Sequence, residues 1–183
     1  MKSLLRWLGF GKKSANEAFL PVYTAIVNQA RQPQLYGQGM APDSFDGRFD
    51  MMVVHVYLVL RRLKQDGLGR EEAGQAIFDL FFRDMDQAMR EMGVGDLGVG
   101  KKVKKMAEAF YGRVHAYDQA IEDKNAKALH ETLARNFYPD APEALKTNMA
   151  EYVKALITHL ADLESQQVLS RDLFKGFQWG YEA

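Results

Sequence analysis

The stretch from Asp43 to Lys64, DSFDGRFDMMVVHVYLVLRRLK, decides how the rest of the chain is read. Phe45, Phe49, Met52, Val53, Val56, Leu60 and Leu63 recur at steps of three and four, which lays one apolar face along a helix. Met51, Val54 and Leu58 carry apolar character further round the cylinder, so the spacing predicts a helix surrounded by other helices. Asp43 or Ser44, directly after Pro42, is placed to cap its start. Arg61, Arg62 and Lys64 before Gly67 put cations at the negative end of the helix dipole and a glycine past it.

Helical spacing continues on both sides of this stretch. Upstream, Phe19, Val22, Tyr23, Ile26, Val27 and Ala30 predict a helix from Ala15 to Gln32 with Pro21 in or near its first turn, where a missing N–H costs little. Gln34 to Pro42 holds two glycines and a proline and reads as a loop, with Tyr36 and Met40 able to fold back on the core. Downstream, Glu71 to Met92 carries the stripe Ile77, Phe81, Met85, Ala88 and Met92. After a glycine-rich joint, Val103, Met106, Phe110, Val114, Tyr117 and Ile121 form the next core face. A shorter helix from Asn125 to Phe137 and a longer one opened by Pro142 follow. The tail holds Leu173, Phe174, Phe177, Trp179 and Tyr181, and is too aromatic to be left free, so it packs back over the bundle or lies across a partner. The fold class expected is all-α, a single-domain bundle of about six to seven helices over residues 15–183. Before it, residues 1–14 form a basic apolar segment, either a membrane-surface element or a lead-in whose Trp7 docks on the domain.

Composition sets limits. The 183 residues carry 24 Lys and Arg against 24 Asp and Glu, so overall charge gives no reason to expect a nucleic-acid protein, and any basic feature is local. Without cysteine there are no disulfides, thiolate metal sites or cysteine nucleophiles. No apolar run approaches the roughly 18 residues of a spanning helix. Arg6, Lys12 and Lys13 break the pattern of a cleaved signal peptide.

The motifs point away from catalysis. Gly93, Gly95 and Gly98 spell G-x-G-x-x-G, and Gly95, Gly100 and Lys101 resemble part of a phosphate loop, but a helix precedes them where both motifs need a strand. Asp84 and Asp86 stand at alternate helical positions, where side chains diverge, so no metal is expected there. His55, His115, His130 and His159 are scattered without metal-ligand spacing. No catalytic, cofactor-binding or metal residue is assigned. Asp79, Arg83, Asp86 and Arg90 form a stripe of alternating sign, read as an ion-paired ridge or a ligand site.

Two features stand out. Lys101, Lys102, Lys104 and Lys105 crowd a helix start, where each cation is disfavoured by a few tenths of a kcal/mol. Either Asp96, Glu108 and the preceding acidic helix neutralise them, or the lysines and the glycine-exposed N–H groups meet an anion. Met51, Met52, Met85, Met89, Met92 and Met106 either fill the core or line a groove for a hydrophobic peptide or transmembrane segment.

FDGRFDMMVVHVYLVLRRL from Phe45, FDLFFRDMDQAMREMGVGDLGVGKKVKKM from Phe78 and FYGRVHAYDQAI from Phe110 resemble the ubiquinol-cytochrome c chaperone family, the Cbp3-type assembly factors of the cytochrome bc1 complex. The similarity runs from Leu35 to about Leu160. It implies a non-enzymatic helper without a cofactor that binds newly made cytochrome b, in a bacterial member at the inner face of the cell membrane and in a eukaryotic one at the mitochondrial inner membrane. Ribosome or membrane-surface contact is a further implied association, and DNA is not. Phe82, Met85, Met89 and Met92 are the expected client surface, with Gly95, Lys101, Lys102, Lys104 and Lys105 as its electrostatic rim. The competing readings are an all-α isoprenoid or lipid enzyme, tested by stabilisation with magnesium and a pyrophosphate analogue, and a ribosome or RNA-binding module, tested by salt-dependent RNA binding.

Overall fold

In a computed structural model, residues 10–37, 40–67, 71–137 and 143–179 are described. Within them run seven α-helices: α1 (Phe10–Ala30), α2 (Phe45–Gln65), α3 (Glu71–Glu91), α4 (Asp96–Glu122), α5 (Ala126–Phe137), α6 (Glu143–Asp162) and α7 (Ser165–Val168). A short 3₁₀ turn, Pro33–Leu35, follows α1, and no strand occurs among the described residues. The all-α bundle expected from the spacing is the fold. The segment read as a membrane-surface element lies outside the described residues up to position 9, and the backbone of 10–14 belongs to α1.

Helix α2 is the axis. It contacts every other helix of the bundle, and every side chain from Phe49 to Val59 is buried. A fully buried Val, Leu or Met contributes roughly 1.5–3 kcal/mol, so this one helix supplies a large share of the driving force. The Ser44 hydroxyl accepts from the Gly47 amide at 3.1 Å and caps its start. At the other end Gly67 adopts φ +82°, the left-handed conformation that stops a helix cheaply.

Pro21 departs from its expected place. It sits well inside α1, not in the first turn. The position is exposed, and the Glu17 carbonyl is the one that a proline nitrogen cannot serve. The loop after α1 folds back as expected. The Tyr36 hydroxyl donates to the Ala30 carbonyl at 2.6 Å, and Met40 is fully buried.

An all-round buried helix that contains polar residues must satisfy them through its neighbours. His55 is wholly buried on α2, with Nδ1 2.8 Å from the Met51 carbonyl and Nε2 2.6 Å from the Tyr152 hydroxyl of α6. A carbonyl only accepts, so Nδ1 carries the proton and Nε2 accepts from Tyr152. Tyr152 in turn accepts from Gln29 of α1 at 3.3 Å, joining three helices through one ring. Asp50 forms a 2.7 Å ion pair with Arg113 of α4. The Tyr57 hydroxyl donates to Asp118 of α4 at 2.9 Å, and Arg61 pairs with the same carboxylate at 3.3 Å. Arg62 donates to the carbonyls of Leu160 and Leu163 at 2.9 Å each, a cation closing the C-terminal end of α6. The aromatic tail packs back as expected. Leu173 is buried, Phe177 lies 5.0 Å from the His159 ring, and Trp179 lies 5.7 Å from that of Tyr152.

Gly47 shows how tightly the entry to α2 is built. A Cβ there would stand 2.1 Å from the Pro42 carbonyl oxygen, whereas one at Gly112 of α4 meets nothing within 4 Å. Gly47→Ala is expected to destabilise by about 1–3 kcal/mol despite better helix propensity, and Gly112→Ala to stabilise by up to about 1 kcal/mol. Urea unfolding of the two variants checks the opposite signs.

Burial holds His55 down to about pKa 4 from 6.5. Burial likewise pushes Asp50 up to about 6 from 3.8, against the pull of Arg113. Between pH 6 and 4 the folded state therefore binds fewer protons at His55 and more at Asp50 than the unfolded chain. Acidification through this window costs stability at the first group and adds stability at the second. Asp50→Asn removes the offset, so its stability is expected to fall on acidification more steeply than the parent's by about 1.4 kcal/mol per pH unit. Urea unfolding of both proteins at several pH values across the window measures the difference.

Candidate docking surface

The hairpin of α3 and α4 carries the residues singled out in the sequence. Its joint is set by Gly93, whose φ of +80° lets the Val94 amide reach the Met89 carbonyl at 3.1 Å and the Gly93 amide reach that of Arg90 at 2.9 Å. Gly95 then occupies the N-cap of α4 with extended backbone and offers no side chain to the first-turn N–H groups.

The acids near this joint are occupied. Arg90 grips Asp86 at 2.6 Å and also holds Asp96, so part of the alternating stripe on α3 is an ion-paired ridge. Asp84 points the other way, accepting from the Tyr23 hydroxyl at 3.0 Å with Arg31 at 3.8 Å. The two aspartates diverge as their helical spacing requires. Among the described residues, no three His, Asp or Glu side chains converge as metal ligands would. Lys104 approaches Glu108 at 3.9 Å, a fully solvated pair worth little. Lys101, Lys102 and Lys105 are exposed and make no ion pair with any described residue. The acids that could have neutralised the lysines are largely taken by an arginine.

The methionines separate. Met51, Met52, Met85 and Met89 are core residues, and Met106 is half-buried against it. Met85 and Met89 were expected on the client surface, and the structure places them inward instead. They continue the stripe of Ile77 and Phe81 at steps of four, and that stripe packs into the bundle. Met92, at 59% exposure, does face solvent, and Phe82 is half-buried.

Leu97 was missed in the sequence and is the most exposed large apolar side chain here, at 92%. Its signal was its lack of apolar neighbours: the residue one turn on is Lys101. Leu97, Lys101, Lys104, Glu108, Tyr111 and His115 follow one another at steps of four and three, which puts them on one face of α4 over about 27 Å. All six are exposed. Lys102 and Lys105 turn toward the flank facing α5.

At the far end of this face Tyr111 is also 59% exposed, its ring 5.8 Å from Phe78 and 5.7 Å from Phe110. The Phe82 ring lies 4.6 Å from that of Phe78, tilted by 50°. Beside these rings opens a largely apolar cavity of about 590 Å³, floored by Leu60, Leu63, Gly74 and Phe78, with Lys64 and Tyr111 at its edge. The surface thus offers an exposed leucine and methionine at one end, an aromatic groove at the other, and cations between. It suits an apolar partner with acidic flanks.

The described residues form an all-α helical bundle with exposed apolar and cationic side chains along one helical hairpin, and no described helix is long and apolar enough to cross a membrane. The chain belongs to the ubiquinol-cytochrome C chaperone family, whose pattern it matches over residues 39–177. It is 26% identical over 165 residues to ubiquinol-cytochrome-c reductase complex assembly factor 1 of Xenopus laevis, covering 88% of this chain and 82% of the relative. It is 27% identical over 165 residues to the human protein named for the same role, and there it spans only 54% of the relative's length. The crystal structure of the Cbp3 homolog from Brucella abortus superposes with a TM-score of 0.75 at 38% identity, covering 92% of this chain and 94% of that one.

The division of the methionines is directly measurable. Met85→Ala is expected to cost about 2–5 kcal/mol, as cavity-forming core truncations do, whereas Met92→Ala stays within about 0.5 kcal/mol. Equilibrium unfolding in urea distinguishes the two.

Proposed function

We propose that this protein is a non-enzymatic chaperone in the assembly of the ubiquinol-cytochrome c reductase complex, and that it holds newly made cytochrome b against the outer face of the α3–α4 hairpin. The observation that carries the reading is the pairing of Leu97 and Tyr111, strongly exposed, with Lys101 unpaired among the described residues and Lys104 held only by a solvated contact with Glu108 between them. Membership of a family whose relatives are named as assembly factors for this complex supports a client among its subunits. A membrane subunit awaiting its partners exposes apolar helices joined by polar loops. A strip that alternates leucine, lysine and tyrosine meets both kinds of surface. A chaperone holding this client acts at the membrane face where the subunit emerges.

Relative to the expectation from sequence, the contact surface shifts by one face of the hairpin. Met92, Phe82, Gly95, Lys101 and Lys104 remain in it, Lys102 and Lys105 turn toward the α5 flank, Leu97, Tyr111 and Phe78 enter it, and Met85 and Met89 act from beneath as packing. Cations at such a rim act mainly on encounter rate and salt dependence, and the apolar residues on residence time.

A photo-reactive residue placed at Leu97 or Tyr111 in cells making cytochrome b is expected to give adducts with it, and one at exposed Glu151 of α6 to give none. Replacing Lys101, Lys102, Lys104 and Lys105 by glutamine is expected to slow capture and flatten its salt dependence with the fold intact by circular dichroism. Equal adducts from all three positions, or none with cytochrome b, would rule out this face.

A further inference from the structure

A second site lies on the other flank of α4, against α5. The two helices form an antiparallel hairpin closed by a tight turn in which Lys124 takes φ +50° and Asn125 Oδ1 accepts from the Ala128 amide at 3.0 Å. Between them opens a cavity of about 270 Å³ lined by Ala109, Gly112, Arg113 and Ala116 of α4 and by Thr132, Arg135 and Asn136 of α5. Steps of three and four on each helix bring these residues to one seam. The α4 wall has no side chain larger than a methyl group except the arginine. Gly112 is exposed, and the space above it is open to 4 Å.

The polar lining is cationic. Two guanidinium groups border the cavity and no carboxylate does. Arg113 is braced from below, its Nε 2.7 Å from buried Asp50 and its Cζ 5.7 Å from the Phe49 ring centre, while one terminal nitrogen donates at 3.4 Å to the Ala109 carbonyl of its own helix. Arg135 donates at 3.3 Å to the Thr132 hydroxyl and makes no ion pair with a described residue. Each guanidinium has five N–H donors, so both retain donors for a guest. Asn136 is held by its donation to the Tyr117 hydroxyl at 2.7 Å. Lys105 lies on the same face of α4 as Gly112, two turns toward the N-terminus, and is also unpaired among the described residues.

We propose that this seam is a binding site for a phosphate group, gripped by Arg113 and Arg135 over the bare floor of Ala109, Gly112 and Ala116. Two forks from different helices converge on one space, the arrangement that suits an oxyanion presenting several oxygens in different directions. With Asp50 offsetting part of the Arg113 charge, the seam carries a net positive charge that a phosphodiester or a hydrogen phosphate ion would balance. The group has two sources with this chemistry, a phospholipid headgroup and a soluble phosphate ester. The site is separate from the client-docking face and does not depend on it.

The test uses the full chain and inorganic phosphate, followed by NMR of the Gly112 amide and the Arg135 Nε–H at constant ionic strength. Saturable shifts are expected in the parent, and binding about tenfold weaker in Arg135→Gln, which removes one charged fork. Gly112→Leu fills the cavity from an open helical position and is expected to abolish binding while unfolding no more easily than the parent. Arg113 is left in place because its removal would strand Asp50. Vesicles of phosphatidylglycerol in phosphatidylcholine, compared with phosphatidylcholine alone, identify the source. Perturbation of the same two signals marks a headgroup, and a response to inorganic phosphate without one to vesicles marks a soluble ester. Shifts that do not saturate, or that persist unchanged in both variants, overturn the site and leave the cytochrome b reading as it stands.

Discussion

Full enclosure of α2 is the constraint from which the rest follows. A helix buried on every side from Phe49 to Val59 cannot leave Asp50, His55 or Tyr57 to water, so each needs a partner on a surrounding helix. Those partners set the neighbours' rotation. Asp50 takes Arg113 and Tyr57 takes Asp118, which commits one side of α4 to the core and turns the side bearing Leu97, Lys101, Lys104 and Tyr111 outward. His55 takes Tyr152, which fixes α6 and, through Gln29, α1. That strip is exposed because the opposite face of the same helix is pinned.

The distribution of charge follows a similar logic. Arg90 claims Asp86 and Asp96, and in doing so ties the end of α3 to the start of α4 across the glycine joint. The acids that would have quenched the lysines serve this clasp instead. The cluster at the first turns of α4 then stays positive, at a small cost in helix stability that a structural role alone does not explain. Division of the lysines between two flanks follows from helical rotation of 100° per residue, with Lys101 and Lys104 beside the exposed leucine and tyrosine and Lys105 beside the seam with α5.

Methionine was the least informative signal. Its flexible, polarisable side chain suits a client groove and an irregular core equally well. In this bundle it mostly fills the core: Met40, Met51, Met52, Met85, Met89 and Met149 are all buried. The proposed docking surface is built from fewer and less typical residues, a leucine in a glycine-rich joint and a tyrosine at the edge of an aromatic groove. Leucine and tyrosine are common in cores, so residue type alone did not mark Leu97 and Tyr111 as exposed.

From the sequence alone came the helices, the central place of α2 and a cap at Asp43 or Ser44, with an ion-paired ridge on α3 and a return of the aromatic tail each among two readings. All of these rest on spacing along one chain and on local capping chemistry, which short-range geometry dictates. Resemblance in three stretches pointed to the family. What only the tertiary structure decided is which side of each helix faces in. That choice depends on contacts between residues far apart in the chain, such as Asp50 with Arg113 or His55 with Tyr152. Helical period shows that Met85 and Met89 share a side, and that Leu97 and Tyr111 share another. It does not show which side water keeps, because that is settled by the neighbours that arrive when the bundle closes.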